Sequence, residues 1–154
     1  MKKNLFTFIL LFTVLFIYAQ KENPLYNKSL ADSLGADDYG MKNYVFVILK
    51  TGPADKTIKN KTVRDSLFAG HMANIERLAK EGKLTVAGPF GKNDKKYRGL
   101  FILNVKTIEE AKVLLDTDPT IKLKIFDVEM VPWYGSAALP MYLPYSEKVG
   151  KNSF

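Results

Sequence analysis

A mixed α+β domain on a four-stranded sheet is the fold class this sequence predicts, and three observations predict it. Two runs are continuously apolar, two shorter segments alternate apolar with polar residues, and two segments between them carry apolar residues at helical spacing. Along the chain they fall in the order β-α-β-β-α-β, the ferredoxin-like split βαβ arrangement. Composition agrees. Of 154 residues, 47% are hydrophobic and 25% charged, which describes one globular domain rather than a disordered or collagen-like chain.

Residues 1–19 read as a secretory signal peptide. Lys2 and Lys3 precede an almost unbroken apolar run from Leu5 to Tyr18, and Ala19 is the first small residue after it. The run is shorter than the ~20 apolar residues of a spanning helix, and Gln20-Lys21-Glu22-Asn23-Pro24 comes directly after it. The alternative is a retained membrane anchor. Cleavage implies a periplasmic or secreted protein with no further membrane association. Residues 20–42 are polar, without clean periodicity, and read as an arm or linker before a domain at 43–138.

The first strand is Tyr44-Val45-Phe46-Val47-Ile48-Leu49, bounded by Thr51-Gly52-Pro53. Its length and β-branched, aromatic content argue for burial on both faces. From about Thr62 to Glu81 the apolar positions are Leu67, His71, Ile75, Leu78 and Ala79, one stripe of a helix that Gly82 ends. Lys83-Leu84-Thr85-Val86-Ala87 alternates as a half-buried strand. Gly88-Pro89 and Gly91-Lys92-Asn93-Asp94 supply strand terminator and turn. Gly99 to Val105 is the second continuous apolar strand. Thr107 then heads a capping box with Glu110, and Ile108, Ala111, Leu114 and Leu115 form the second helical stripe. That helix stops near Asp116-Thr117-Asp118-Pro119, because proline disfavours helical geometry in the residue before it. Ile125 to Trp133 alternates again, and Pro132 near its end suits an edge strand.

In this fold the strand order is 4-1-3-2, and the two continuously apolar runs are the ones placed centrally. Right-handed crossovers put both helices on one face. Tyr44, Phe46 and Ile48 then need cover on the other, either from a second copy of the sheet in a homodimer or from the tail at 139–154, with Leu139, Met141, Tyr142, Leu143 and Tyr145.

Charge and residue inventory narrow the chemistry. Lys and Arg number 23 against 16 Asp and Glu, so the chain carries +7. The cations are dispersed among aspartates and form no concentrated basic face, so no nucleic-acid partner is expected. They read as a solvated surface attractive to acidic small molecules. Zero cysteine excludes zinc ribbons, iron–sulfur clusters and thiol catalysis. A single histidine leaves no multi-histidine metal site in one chain, and neither metal nor cofactor is expected.

His71 is therefore the residue of chemical interest, lying on the apolar stripe of the first helix. It is either a hydrogen-bonded core residue or a proton-transfer group. Asp118, at the end of the second helix on the same sheet face, is a candidate partner. It would fix the ring tautomer and strengthen the imidazole as a base, or else merely cap the next stretch of chain. On the residues alone, Gly88-Pro89 is no more than a strand terminator.

Together, His71, Gly82-Lys83-Leu84-Thr85-Val86-Ala87-Gly88-Pro89-Phe90, Glu109-Glu110-Ala111, Asp118-Pro119 and Val131-Pro132-Trp133 resemble the YCII-related (YciI-like) family, over roughly Tyr44 to Trp133. The family is similar to muconolactone isomerases. The resemblance implies a dimeric α+β barrel, a His71–Asp118 pair as candidate active site, and Gly88 and Pro89 shaping the pocket wall. It also implies isomerase or dehydrohalogenase-like chemistry without a metal. Two readings are open. One is an exported enzyme in which His71, held by Asp118, moves a proton on a cyclic or aromatic substrate. The other is a non-catalytic exported dimer that binds a small ligand or is purely structural.

Overall fold

The computed structural model describes residues 23–151; the expected signal peptide at residues 1–19 lies outside the described residues. Four strands, β1 (Met41–Thr51), β2 (Leu84–Pro89), β3 (Tyr97–Leu103) and β4 (Phe126–Ser136), form one antiparallel sheet in the order β2-β3-β1-β4. The continuously apolar strands β1 and β3 are central and the alternating strands are edges, as the sequence predicts. The long helices α2 (Lys61–Lys80) and α3 (Ile108–Leu115) come after β1 and β3, which completes the ferredoxin-like order.

Strand register defines the two faces. Val45, Val47 and Leu49 stand beside Leu103, Phe101 and Gly99 on one side, and beside Pro132, Met130 and Val128 on the other. Both helices cover this face, since Leu78 of α2 and Ala111 and Leu115 of α3 join those residues in one buried cluster. Full burial of each such large side chain is worth about 1.5–3 kcal/mol. The opposite face carries Tyr44, Phe46 and Ile48 with Leu100, Ile102 and Val131. Tyr44 is buried and donates to the Ser136 carbonyl (2.8 Å), whereas Phe46 and Ile48 are half-buried.

Local chemistry explains the helix ends. Asn60 caps α2 through a bond from Val63 N–H, and Gly82 takes φ +66° just past its C-terminus. Thr107 and Glu110 form the reciprocal capping box of α3.

Several details differ from the sequence reading. β2 takes in Gly88 and Pro89 and ends at Pro89, two residues past the expected boundary. It is an edge strand, where a missing N–H costs no ladder bond. Between α3 and β4 lies a four-residue helix, α4 (Pro119–Lys122), too short to leave a periodic signature. The N-terminal arm contains α1 (Lys28–Leu34), capped by Asn27 and by Gly35 at φ +68°. The Tyr134 hydroxyl donates to the Asp37 carboxylate and so fastens the arm to β4. After β4 the tail forms a 3-10 turn, Leu139–Tyr142, and α5 (Leu143–Val149). Tyr142 donates its hydroxyl to the Thr85 carbonyl at 2.5 Å. β4 and β2 are opposite edges, so this bond ties the tail that leaves one edge strand to the other.

Candidate functional site

The site is built where α2 meets the α3–α4 connection. Four positions of α2 line this contact, at 70, 71, 74 and 77, the spacing of one helical face. A side-chain carbon on Gly70 would come within 2.7 Å of the Pro119 Cγ, so the absence of one lets α2 lie directly on α4. One turn further on, the Thr117 hydroxyl reaches the Asn74 Oδ1 (2.8 Å), and Arg77 donates to both Asn74 Oδ1 and Thr117 (2.8 and 2.9 Å). Gly70 and Asn74 have no place in the apolar stripe that predicts the helix. Gly, Asn and Thr at these spacings give no apolar signal, and only the fold shows what they join.

Between those contacts the imidazole Nδ1 of His71 stands 2.5 Å from the Asp118 Oδ2. The Asp118 side chain is fully buried, and its other oxygen accepts from the Thr120 amide (2.9 Å) and hydroxyl (2.6 Å). The two readings of Asp118 therefore coexist, because one oxygen caps α4 and the other meets the histidine. Burial on its own pushes this carboxyl upward. Hydrogen bonds with His71 and Thr120 outweigh it and hold the group below the ordinary carboxylate value. Asp118 is consequently an anion at neutral pH, and an anion at Nδ1 requires that nitrogen to carry the proton.

The rest of the ring is held by aromatics. Phe101 stacks at 6.0 Å, while Phe126 (5.3 Å) and Phe68 (6.4 Å) meet it edge-on. His71 is 7% exposed, and among the described residues Nε2 makes no hydrogen bond. The arrangement thus fixes one nitrogen and leaves the other as a lone-pair acceptor. A histidine held in this way has the geometry of an imidazole base oriented by a carboxylate.

Gly88 and Pro89 are not bonded to this pair. They sit opposite Leu100 and Gly99 in the register of β3. A side chain on Gly99 would meet the Gly88 carbonyl at 2.8 Å. Pro89 and Gly99 share a row with Leu49 on the helix-covered face, between the rows that hold Phe101 and Phe126. A depression of about 540 Å³ with an apolar floor of Leu115, Ile121, Val128 and Met130 opens elsewhere along α4, and His71 does not line it. Among the described residues no group of three or more His, Asp or Glu side chains is placed to hold a metal ion.

The YCII-related domain model matches residues 44–134. No protein of curated function matches the chain in sequence. Among solved structures, one similar chain is a 5-chloro-2-hydroxyhydroquinone dehydrochlorinase from Burkholderia phenoliruptrix in complex with 2,5-dihydroxybenzoquinone. It is 24% identical at a TM-score of 0.40, over 58% of this chain and 92% of that one.

Proposed function

Because the chain belongs to the YCII-related domain family, we propose that it is a small-molecule enzyme in which the His71–Asp118 pair transfers a proton without a metal. The observation that carries this reading is the pair itself: a buried carboxylate 2.5 Å from Nδ1, with Nε2 left without a partner among the described residues. Nε2 takes a proton from a carbon beside a carbonyl, and the electron pair left on carbon moves into the carbonyl as an enolate. In isomerisation the imidazolium returns its proton at another carbon. In elimination the enolate expels a leaving group with its electron pair, and the imidazolium passes its proton to water. Asp118 stays ionised throughout and stabilises the imidazolium. Gly88 and Pro89, beside Gly99, belong to the wall of this site in the same reading.

The proposal includes export after signal cleavage, supported by the Lys2-Lys3 start and the apolar run after it. It also includes a homodimer through the sheet face that bears half-buried Phe46 and Ile48 and exposed Val131. The near closure of the ring by three phenylalanines favours a second reading, in which the pair is a structural contact without turnover. A panel of lactones and haloaromatics separates the two. Turnover by wild type that falls at least about 100-fold in His71→Ala supports the enzyme. Equal rates in both remove it.

A further inference from the structure

We infer that Arg98 is the anion-anchoring residue of this site and that its ligand is a single-ring planar carboxylic acid. The inference rests on the His71 reading, and names the substrate class that reading leaves open. Phe126 is the shared element. The His71 ring meets it at 5.3 Å, and the Arg98 guanidinium lies 5.5 Å from its centroid, so base and cation are neighbours of one benzene ring. Phe68, which packs on both His71 and Phe126, carries the Arg64 guanidinium in the same way at 5.7 Å.

The two arginines differ in what occupies them. Arg64 donates to the Asp55 carbonyl (2.6 Å), the Ile58 carbonyl (3.2 Å) and the Asp55 carboxylate (2.8 Å), so its fork fastens the segment after β1. For Arg98 the nearest carboxylate is Asp55 Oδ2 at 3.9 Å, beyond hydrogen-bond distance. Among the described residues its guanidinium donates no hydrogen bond, and its side chain is 40% exposed. Two guanidiniums face one carboxylate here, leaving one positive charge over. A planar fork with spare donors is suited to a carboxylate.

The backbone places Arg98 firmly. Phe90 N–H donates to the Arg98 carbonyl at 2.9 Å, and Pro89 pairs with Gly99. Gly88-Pro89 thereby acts on the site through the strand that carries the arginine. A ligand anchored on Arg98 lies against Phe126, the ring that Arg98 and His71 share as a neighbour.

The test is binding of benzoate against its neutral isostere benzamide, read from the imidazole resonances of the single histidine in the signal-free chain. Expected are saturable shifts with benzoate, and binding of benzamide weaker by about tenfold or more. Arg98→Gln lowers benzoate affinity to the benzamide level, Arg98→Lys restores part of it, and Lys112→Gln, which removes an equal charge at the separate depression, leaves it unchanged. Absence of benzoate shifts, equal affinity for the two probes, or an equal effect of Arg98→Gln and Lys112→Gln overturns the inference. Turnover is not needed for this readout. Benzoate bound through Arg98 in a protein that turns over nothing would sustain the anion site and refute the enzyme.

Discussion

Asp118 is the residue that ties the candidate site together, bonded to His71 through one oxygen and to Thr120 through the other. Its carboxyl is held below the ordinary value of 3.8 in the folded chain. A lowered folded value means that the unfolded chain binds the proton more readily. The resulting stabilisation is complete above the unfolded value and is lost as pH falls through the folded one. Thermal melts of wild type are therefore expected to decline below about pH 4, with a shallower decline in Asp118→Asn. That substitution keeps an acceptor for the Thr120 amide, so it isolates the histidine contact, and a loss of about 1–3 kcal/mol at pH 7 is expected. A melt unchanged in both respects would show that the pair contributes nothing to stability. Gly70 works by what it lacks. Gly70→Ala gains helix propensity of about 1 kcal/mol. It also pushes a methyl group onto Pro119, an overpacking that costs about 1–3 kcal/mol. A net loss of about 1 kcal/mol is expected in urea titrations, with a shift of the His71 resonances as α2 lifts from α4. A gain in stability with unmoved resonances would contradict this reading of the contact.

Elements, by contrast, can be tested without disturbing the site. Thr107 satisfies the Glu110 amide at the start of α3, and the Glu110 side chain returns to the Thr107 amide. Thr107→Ala is expected to cost about 1 kcal/mol while leaving the histidine resonances in place. This box is legible in the sequence because it is a local motif, as are the sheet's central and edge strands. A central strand, buried on one face and half-buried on the other, is apolar throughout, and an edge strand over one covered face alternates. α4 is not legible, since four residues carry no period, yet it supplies the Asp118 cap and the Pro119 contact. Asp118-Pro119 is visible both as a helix stop and as a histidine partner. That one carboxylate serves both with separate oxygens is a three-dimensional fact. Arg98 is hidden for another reason. It reads as one of a dispersed set of surface cations, and only the position of Phe126 gives it a neighbour in common with His71.

The whole molecule presents two sheet faces with different fates. One is closed by α2 and α3, and on the other Tyr44 is buried and bonded to Ser136 while Phe46 and Ile48 are half-buried. The proposed homodimer uses what remains. Sedimentation is expected to show a dimer in wild type and a monomer in Val131→Glu, where a charge replaces a side chain that is 46% exposed on that face. Wild type that stays monomeric at high concentration would leave the tail as sufficient cover. At every scale the proposed function asks the same of the fold, that it lock one nitrogen of one histidine and leave the other without a partner. Long-range proton–nitrogen correlation on the 15N-labelled chain measures this directly, because a single histidine needs no assignment. The uncharged ring is expected to carry its proton on Nδ1, with Nε2 bare, and to lose that preference in Asp118→Asn. A ring protonated chiefly on Nε2 in wild type would contradict the account, since the nitrogen required as the base would then be a donor.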